Sequence, residues 1–165
     1  MFHRIVLTAL ISVLLTCCNS TERANIGFVE KYGEESFDDF LGLGVHLRSV
    51  DEDGDLVVFV SSYRSECDAP FVVFLYKETG ELKRTGRNLL EDSCVIDERK
   101  LINLARKFFN YKVFLLGMDT LGNLRVNVRG GEGANLIRFS SLKNKTARYN
   151  DHWRQLKGNW FQKID

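Results

Sequence analysis

The hydrophobic pattern divides the chain sharply near residue 18. Ile5 to Leu15 is an uncharged apolar run of eleven residues behind Met1-Phe2-His3-Arg4. Such a run is too short to cross a hydrocarbon core about 30 Å thick, which needs roughly 20 helical residues. Residues 19 to 25, Asn-Ser-Thr-Glu-Arg-Ala-Asn, are polar and aperiodic and read as a short tether. Beyond them the pattern is that of a folded domain. Ser36-Phe37-Asp38-Asp39 has capping-box spacing, and Phe37, Phe40 and Leu41 recur as on a short helix that Gly42 and Gly44 should stop. Val45 to Val50 alternates weakly, with His46 and Arg48 outward. Asp53-Gly54 marks a hairpin, and Leu56 to Val60 and Phe71 to Tyr76 are apolar on both faces. Thr79-Gly80 turns the chain into a more exposed strand, Glu81 to Thr85.

Asp97 is placed to cap the clearest helix, with Leu101, Leu104, Ala105 and Phe108 on one face and Ile96 and Leu101 spaced as a hydrophobic staple. Val113 to Met118 reads as a strand. Leu124, Val126 and Val128 alternate with Arg125, Asn127 and Arg129 in the next, so that one face should be wet. Leu136 to Phe139 is a short last strand, and Asn150 or Asp151 should cap a final helix with Trp153, Leu156 and Trp160 inward. Tight turns between neighbours imply antiparallel pairing. The fold class expected is α+β: a mostly antiparallel sheet of about six to seven strands with two main helices packed on it. The domain plan is a signal segment at 1–17, a tether at 18–25 and a single globular domain at 26–165.

The basic start, the short apolar core and the small residues after it have the form of a secretory signal peptide. Leu15-Thr16-Cys17-Cys18 resembles the lipobox of bacterial lipoproteins, in which cleavage precedes a Cys that carries lipid on its thiol and new amino group. Cys18 gives the better register, with Leu15 at −3. Cys17 is the alternative, with Leu14 at −3 and Leu15 and Thr16 in the two places before it. A plain signal peptide cut near Asn19 is the rival reading. The resemblance implies a membrane partner through the N-terminal lipid, and several acyl chains at about 0.8 kcal/mol per buried CH₂ give a stable anchor. Because Asn19 is not the Asp that retains lipoproteins in the inner membrane of some bacteria, the resemblance favours the outer membrane.

Charge changes the picture by exclusion. Lys and Arg total 23 against 22 acids, and removing residues 1–17 takes one Arg and leaves zero. No net field attracts nucleic acid, and no polybasic run addresses a membrane surface. Two cysteines remain after the signal, Cys67 and Cys94. In an oxidising compartment they suggest one disulfide closing a loop of 28 residues, which the chain-entropy relation values at about 3–4 kcal/mol. Free thiols, a metal site and a Cys nucleophile are the rivals, and no His, Asp or Glu stands at finger-like spacing to either Cys.

Candidate chemistry is thin. Ser49-Val50-Asp51-Glu52-Asp53-Gly54 invites comparison with a calcium loop, but Val60 stands where the bidentate Glu belongs, leaving a turn or a weak cation site at Asp51, Asp53 and Asp55. Gly130-Gly131-Glu132-Gly133 lacks phosphate-loop spacing and reads as a flexible strand connection. His46 and His152 cannot by themselves make a multi-His site, and Ser61 to Glu66 holds hydroxyls without an elbow or SxxK pattern. No cofactor, metal site or catalytic set is expected. The functional expectation is an envelope lipoprotein with a non-catalytic binding domain, an immunity-type or assembly partner protein. Sheet edges and the strand face of Arg125 and Arg129 are the expected contacts. The alternatives are a cell-envelope hydrolase acting on glycan or wall material and a small-ligand carrier.

Overall fold

A computed structural model describes residues 20–63, 70–86, 97–144 and 152–164. Helix α1 covers 20–32 and is followed by a 3-10 turn at Asp38–Phe40. Four strands come next: β1 (Leu43–Val50), β2 (Leu56–Ser62), β3 (Phe71–Leu75) and β4 (Leu82–Gly86). Helix α2 (Glu98–Tyr111) separates them from β5 (Leu115–Met118), β6 (Leu124–Asn127), β7 (Leu136–Arg138), β8 (Trp153–Lys157) and β9 (Trp160–Lys163). All nine strands form one antiparallel sheet in the order β4-β3-β2-β1-β5-β6-β7-β9-β8.

The expected fold class is corrected here: among the described residues one antiparallel sheet has nine strands, not six to seven, and of the two main helices expected only the one capped by Asp97 is present, the other place being taken by α1. The segment assigned to a last helix is the β8–β9 hairpin, in which Lys157 faces Trp160 across Gly158-Asn159. A bulge between Gln155 and Lys157 resets the register, so the spacing of Trp153, Leu156 and Trp160 imitates a helical stripe. The expected helix after Ser36 is only a 3-10 turn, with Phe37 and Phe40 buried and Leu41 exposed. The true first helix includes residues assigned to the tether. Its inner face runs Asn25, Phe28, Val29, Tyr32, with an asparagine where an apolar residue would have announced it.

Both helices pack on one side of the sheet. Strand residues alternate, and cross-strand partners share a face. Val73, Val58, Val45, Leu116, Val126 and Leu136 make a buried apolar layer beneath the helices. Leu101, Leu104, Ala105 and Phe108 of α2 enter the same core, and Asp97 caps that helix by accepting the Arg99 N–H at 3.0 Å. Phe28 of α1 lies edge-on to Trp160 and stacks with Phe37. Arg138 bolts this corner together. It donates to the carbonyls of Gly33 and Glu35, and its guanidinium lies over Phe37 and Trp160, where burial lowers its pKa.

Candidate functional site: the open face of the sheet

The opposite face carries no helix or strand among the described residues. Register places Val57, Phe74 and Arg84 in one row, Val72, Phe59, His46 and Leu115 in the next, and Ser61, Gly44, Gly117, Arg125, Ile137 and Phe161 in a third. From β4 to β6 the face therefore combines half-buried aromatic and aliphatic side chains with guanidinium groups, whereas Ile137 and Phe161 at its β7–β9 side are buried. Arg84 stacks on Phe74, its Cζ 3.5 Å from the ring centre. His46 meets Phe59 edge-on at 5.4 Å, and burial, helped by the neighbouring Arg48, pushes its pKa below 6.5. Ile137, Phe139 and Phe161 form a second small apolar cluster with Trp153 against it.

The centre of this face is a saddle made by two glycines. Gly44 and Gly117 are direct partners on β1 and β5. A Cβ on Gly117 would stand 2.5 Å from the Tyr63 hydroxyl and 2.8 Å from the Gly44 Cα. A Cβ on Gly44 would stand 3.1 Å from the same hydroxyl. Tyr63 continues the alternation of β2 and lays its ring over the saddle, while its N–H donates to the Gly42 carbonyl. Arg125, facing Gly117 from β6, has its Cζ 5.9 Å from the Tyr63 ring centre. Burial raises the Tyr63 pKa, with Asp119 adding to the rise and Arg125 opposing it, so the phenol stays a hydrogen-bond donor at neutral pH. Glycines singly placed in two strands mark a close approach, and that was the available signal for Tyr63.

The two arginines expected to share a strand face are separated. Arg125 lies within β6 on the open face, whereas β6 ends at Asn127 and Arg129 lies beyond it, exposed. Asn127, expected on the wet face, is buried and ties up the glycine loop. Its amide donates to the carbonyls of Gly131 and Gly133, and its Oδ1 accepts from the N–H groups of Arg129 and Gly130. Positive φ at Gly130, Gly131 and Gly133 lets the loop fold over this one side chain.

The acidic turn is also organised from within. Asp51 Oδ1 accepts the N–H groups of Asp53 and Asp55, and Gly54 takes φ +88°. One carboxylate oxygen from each of Asp51, Asp53 and Asp55 lies within 4.8 Å of the others. The Lys83 ammonium stands 2.8 Å from Asp53 and 2.7 Å from Asp55, so a metal cation would have to displace a lysine. A shallow cleft of about 500 Å³ beside the start of α2 is lined by Asp39, Arg99, Lys100 and Lys107. There Lys107 pairs with Asp39 at 2.7 Å and lowers the carboxyl pKa. His152 is exposed in the turn before β8. Cys17, Cys18, Cys67 and Cys94 lie outside the described residues. No known protein family, curated protein or solved structure matches this chain.

Proposed function

We propose that this chain is an exported lipoprotein, held to the outer membrane by lipid on Cys18, and that it binds another envelope protein through its open sheet face. The anchor half rests on Leu15-Thr16-Cys17-Cys18 behind a basic start and a short apolar run. The observation that carries the binding half is the composition of the open face. Tyr63, Arg125, Arg84, Phe74 and Phe59 are of the residue types that dominate binding energy at protein interfaces, where tyrosine and arginine supply rigid contact area and directed donors. Half-buried aromatics set on strands lose little further side-chain entropy when a partner covers them. An immunity-type inhibitor or an assembly factor would work in this way, by occupying a partner and not by chemistry.

The test joins both halves. A photo-crosslinking amino acid is placed at Phe59 or Phe74 on the open face, and at Leu121, an exposed turn residue, as control. In intact cells the open-face positions should give one discrete protein adduct that Leu121 does not. The Cys18→Ala variant should lose tagged palmitate and the adduct together. Equal adducts at all three positions would reject the face, and an unlabelled wild-type product would reject the anchor.

A further inference from the structure

The first turns of α1 dock on the sheet through polar groups, and two oxygens at that contact have no partner. Asn25 is 1% exposed and Gln162 5% exposed. The Asn25 Oδ1 and the Gln162 Oε1 are both buried and meet no hydrogen-bond donor among the described residues. Buried side-chain oxygens in folded proteins are, in the large majority, paired with protein groups or with ordered water. The two amides belong to one place. The Asn135 carbonyl accepts from the Asn25 Nδ2 at 3.4 Å and from the backbone N–H of Lys163, the residue after Gln162. Gln162 pairs with Leu136 on β7 and with Arg154 on β8, so it shares their face beneath the helices. Glu22, one turn before Asn25, pairs with Arg154. The Gln162 amide is thus bracketed by the two polar points at which α1 holds the sheet.

The surroundings decide which donor the two oxygens take. Reversing the Asn25 amide would set its Oδ1 against the Asn135 carbonyl, acceptor against acceptor. The Arg154 guanidinium already donates to Glu22. A hard metal cation takes about six to eight oxygen ligands, and two neutral amide oxygens beside an arginine are a poor substitute. What fits is a neutral molecule with two O–H donors. We propose that one buried water lies between α1 and β9, donating one hydrogen to the Asn25 Oδ1 and the other to the Gln162 Oε1. Internal waters are held in this way, by buried polar groups that have no other partner. The water completes the polar half of the α1 attachment, and Phe28 and Val29, one turn further on, supply the apolar half. The site stands apart from both the lipid anchor and the open face.

The experiment uses the full chain, labelled with nitrogen-15, in detergent micelles. In rotating-frame NMR spectra the side-chain amide protons of Asn25 and Gln162 should show cross-peaks to water of the sign that marks dipolar contact and not proton exchange. The side-chain amide of Asn103, exposed on α2, should not. Thermal unfolding of three variants gives a second reading. Asn25→Leu and Gln162→Leu each strand the water against a single oxygen and should lower the melting temperature. The double variant removes both oxygens and the need for the water, and should melt above either single variant. Contact between the Gln162 amide protons and Asn25 with no water cross-peak would mean a direct amide pair and overturns the site. A double variant whose loss equals the sum of the two single losses overturns it as well.

Discussion

At Gly117 the packing turns on one carbon atom. A methyl there meets the Tyr63 hydroxyl and the Gly44 backbone well inside contact distance, and the backbone cannot swing aside. Gly117→Ala should destabilise the domain by about 1–3 kcal/mol, the usual cost of overpacking. Gly27, exposed in α1 with nothing within 4 Å of an added Cβ, gives the opposite sign. Gly27→Ala should stabilise by about 0.5–1 kcal/mol through helix propensity and lost unfolded-state freedom. Urea unfolding of both variants checks the contrast, and equal signs would reject the saddle. His46 carries a pH signature. Burial first, and Arg48 second, hold its folded pKa below 6.5, so the unfolded chain takes up the proton at higher pH than the folded one. This increment is fully present above about pH 6.5 and is lost as pH falls through that value toward the folded pKa. Asp39, also depressed, acts in the same direction but only as pH falls through its lower, carboxylate range. The drop in urea midpoint between pH 7.5 and pH 5.5 should therefore shrink in His46→Gln, and an unchanged drop would reject the role given to His46.

Elements whose signals are local were legible in the sequence. Helix α2 announced itself through Asp97 and a stripe of four apolar residues, and β2 and β3 through unbroken β-branched and aromatic runs. Elements decided by tertiary context were not. Asn25 is buried where α1 needs an apolar residue, and its Nδ2 donates to the Asn135 carbonyl, 110 positions away, while its Oδ1 meets no donor among the described residues. The bulge in β8 gave a strand the spacing of a helix. The two glycines stood out singly, but not the saddle they make, because Gly44 and Gly117 meet only through the β1–β5 pairing. The Asp51–Asp55 turn shows the same dependence, since its charge is answered by Lys83 from β4, two strands over. Lys83→Met should lower the melting temperature by leaving the Asp53 and Asp55 carboxylates unanswered beside Asp51. Millimolar calcium should then raise it again, because hard oxygen donors at this spacing accept the cation once the ammonium is gone. The wild-type chain should show no calcium shift; one of equal size would mean that the lysine does not guard the turn.

For the whole molecule the decisive question is where the folded unit begins. A domain starting at residue 26, as the polarity of residues 19–25 suggests, would cut α1 in half and discard Asn25 and Glu22. The structure makes α1 part of the core, because Phe28 and Val29 belong to the same apolar cluster as the strands and α2. Two such side chains fully buried are worth about 1.5–3 kcal/mol each, against a total stability of about 5–15 kcal/mol for a domain. Phe28 also holds Phe37 and Trp160, so its loss opens the corner that Arg138 clamps. A chain starting at residue 33 should then lose near-ultraviolet dichroism and bind a hydrophobic dye while keeping much of its far-ultraviolet signal, the behaviour of a sheet stripped of its packing. A chain starting at residue 20 should unfold in urea with the midpoint of one starting at residue 18, and one starting at residue 26 should fall between. If the chain starting at residue 33 unfolds as cooperatively as the longest, α1 is a tether after all.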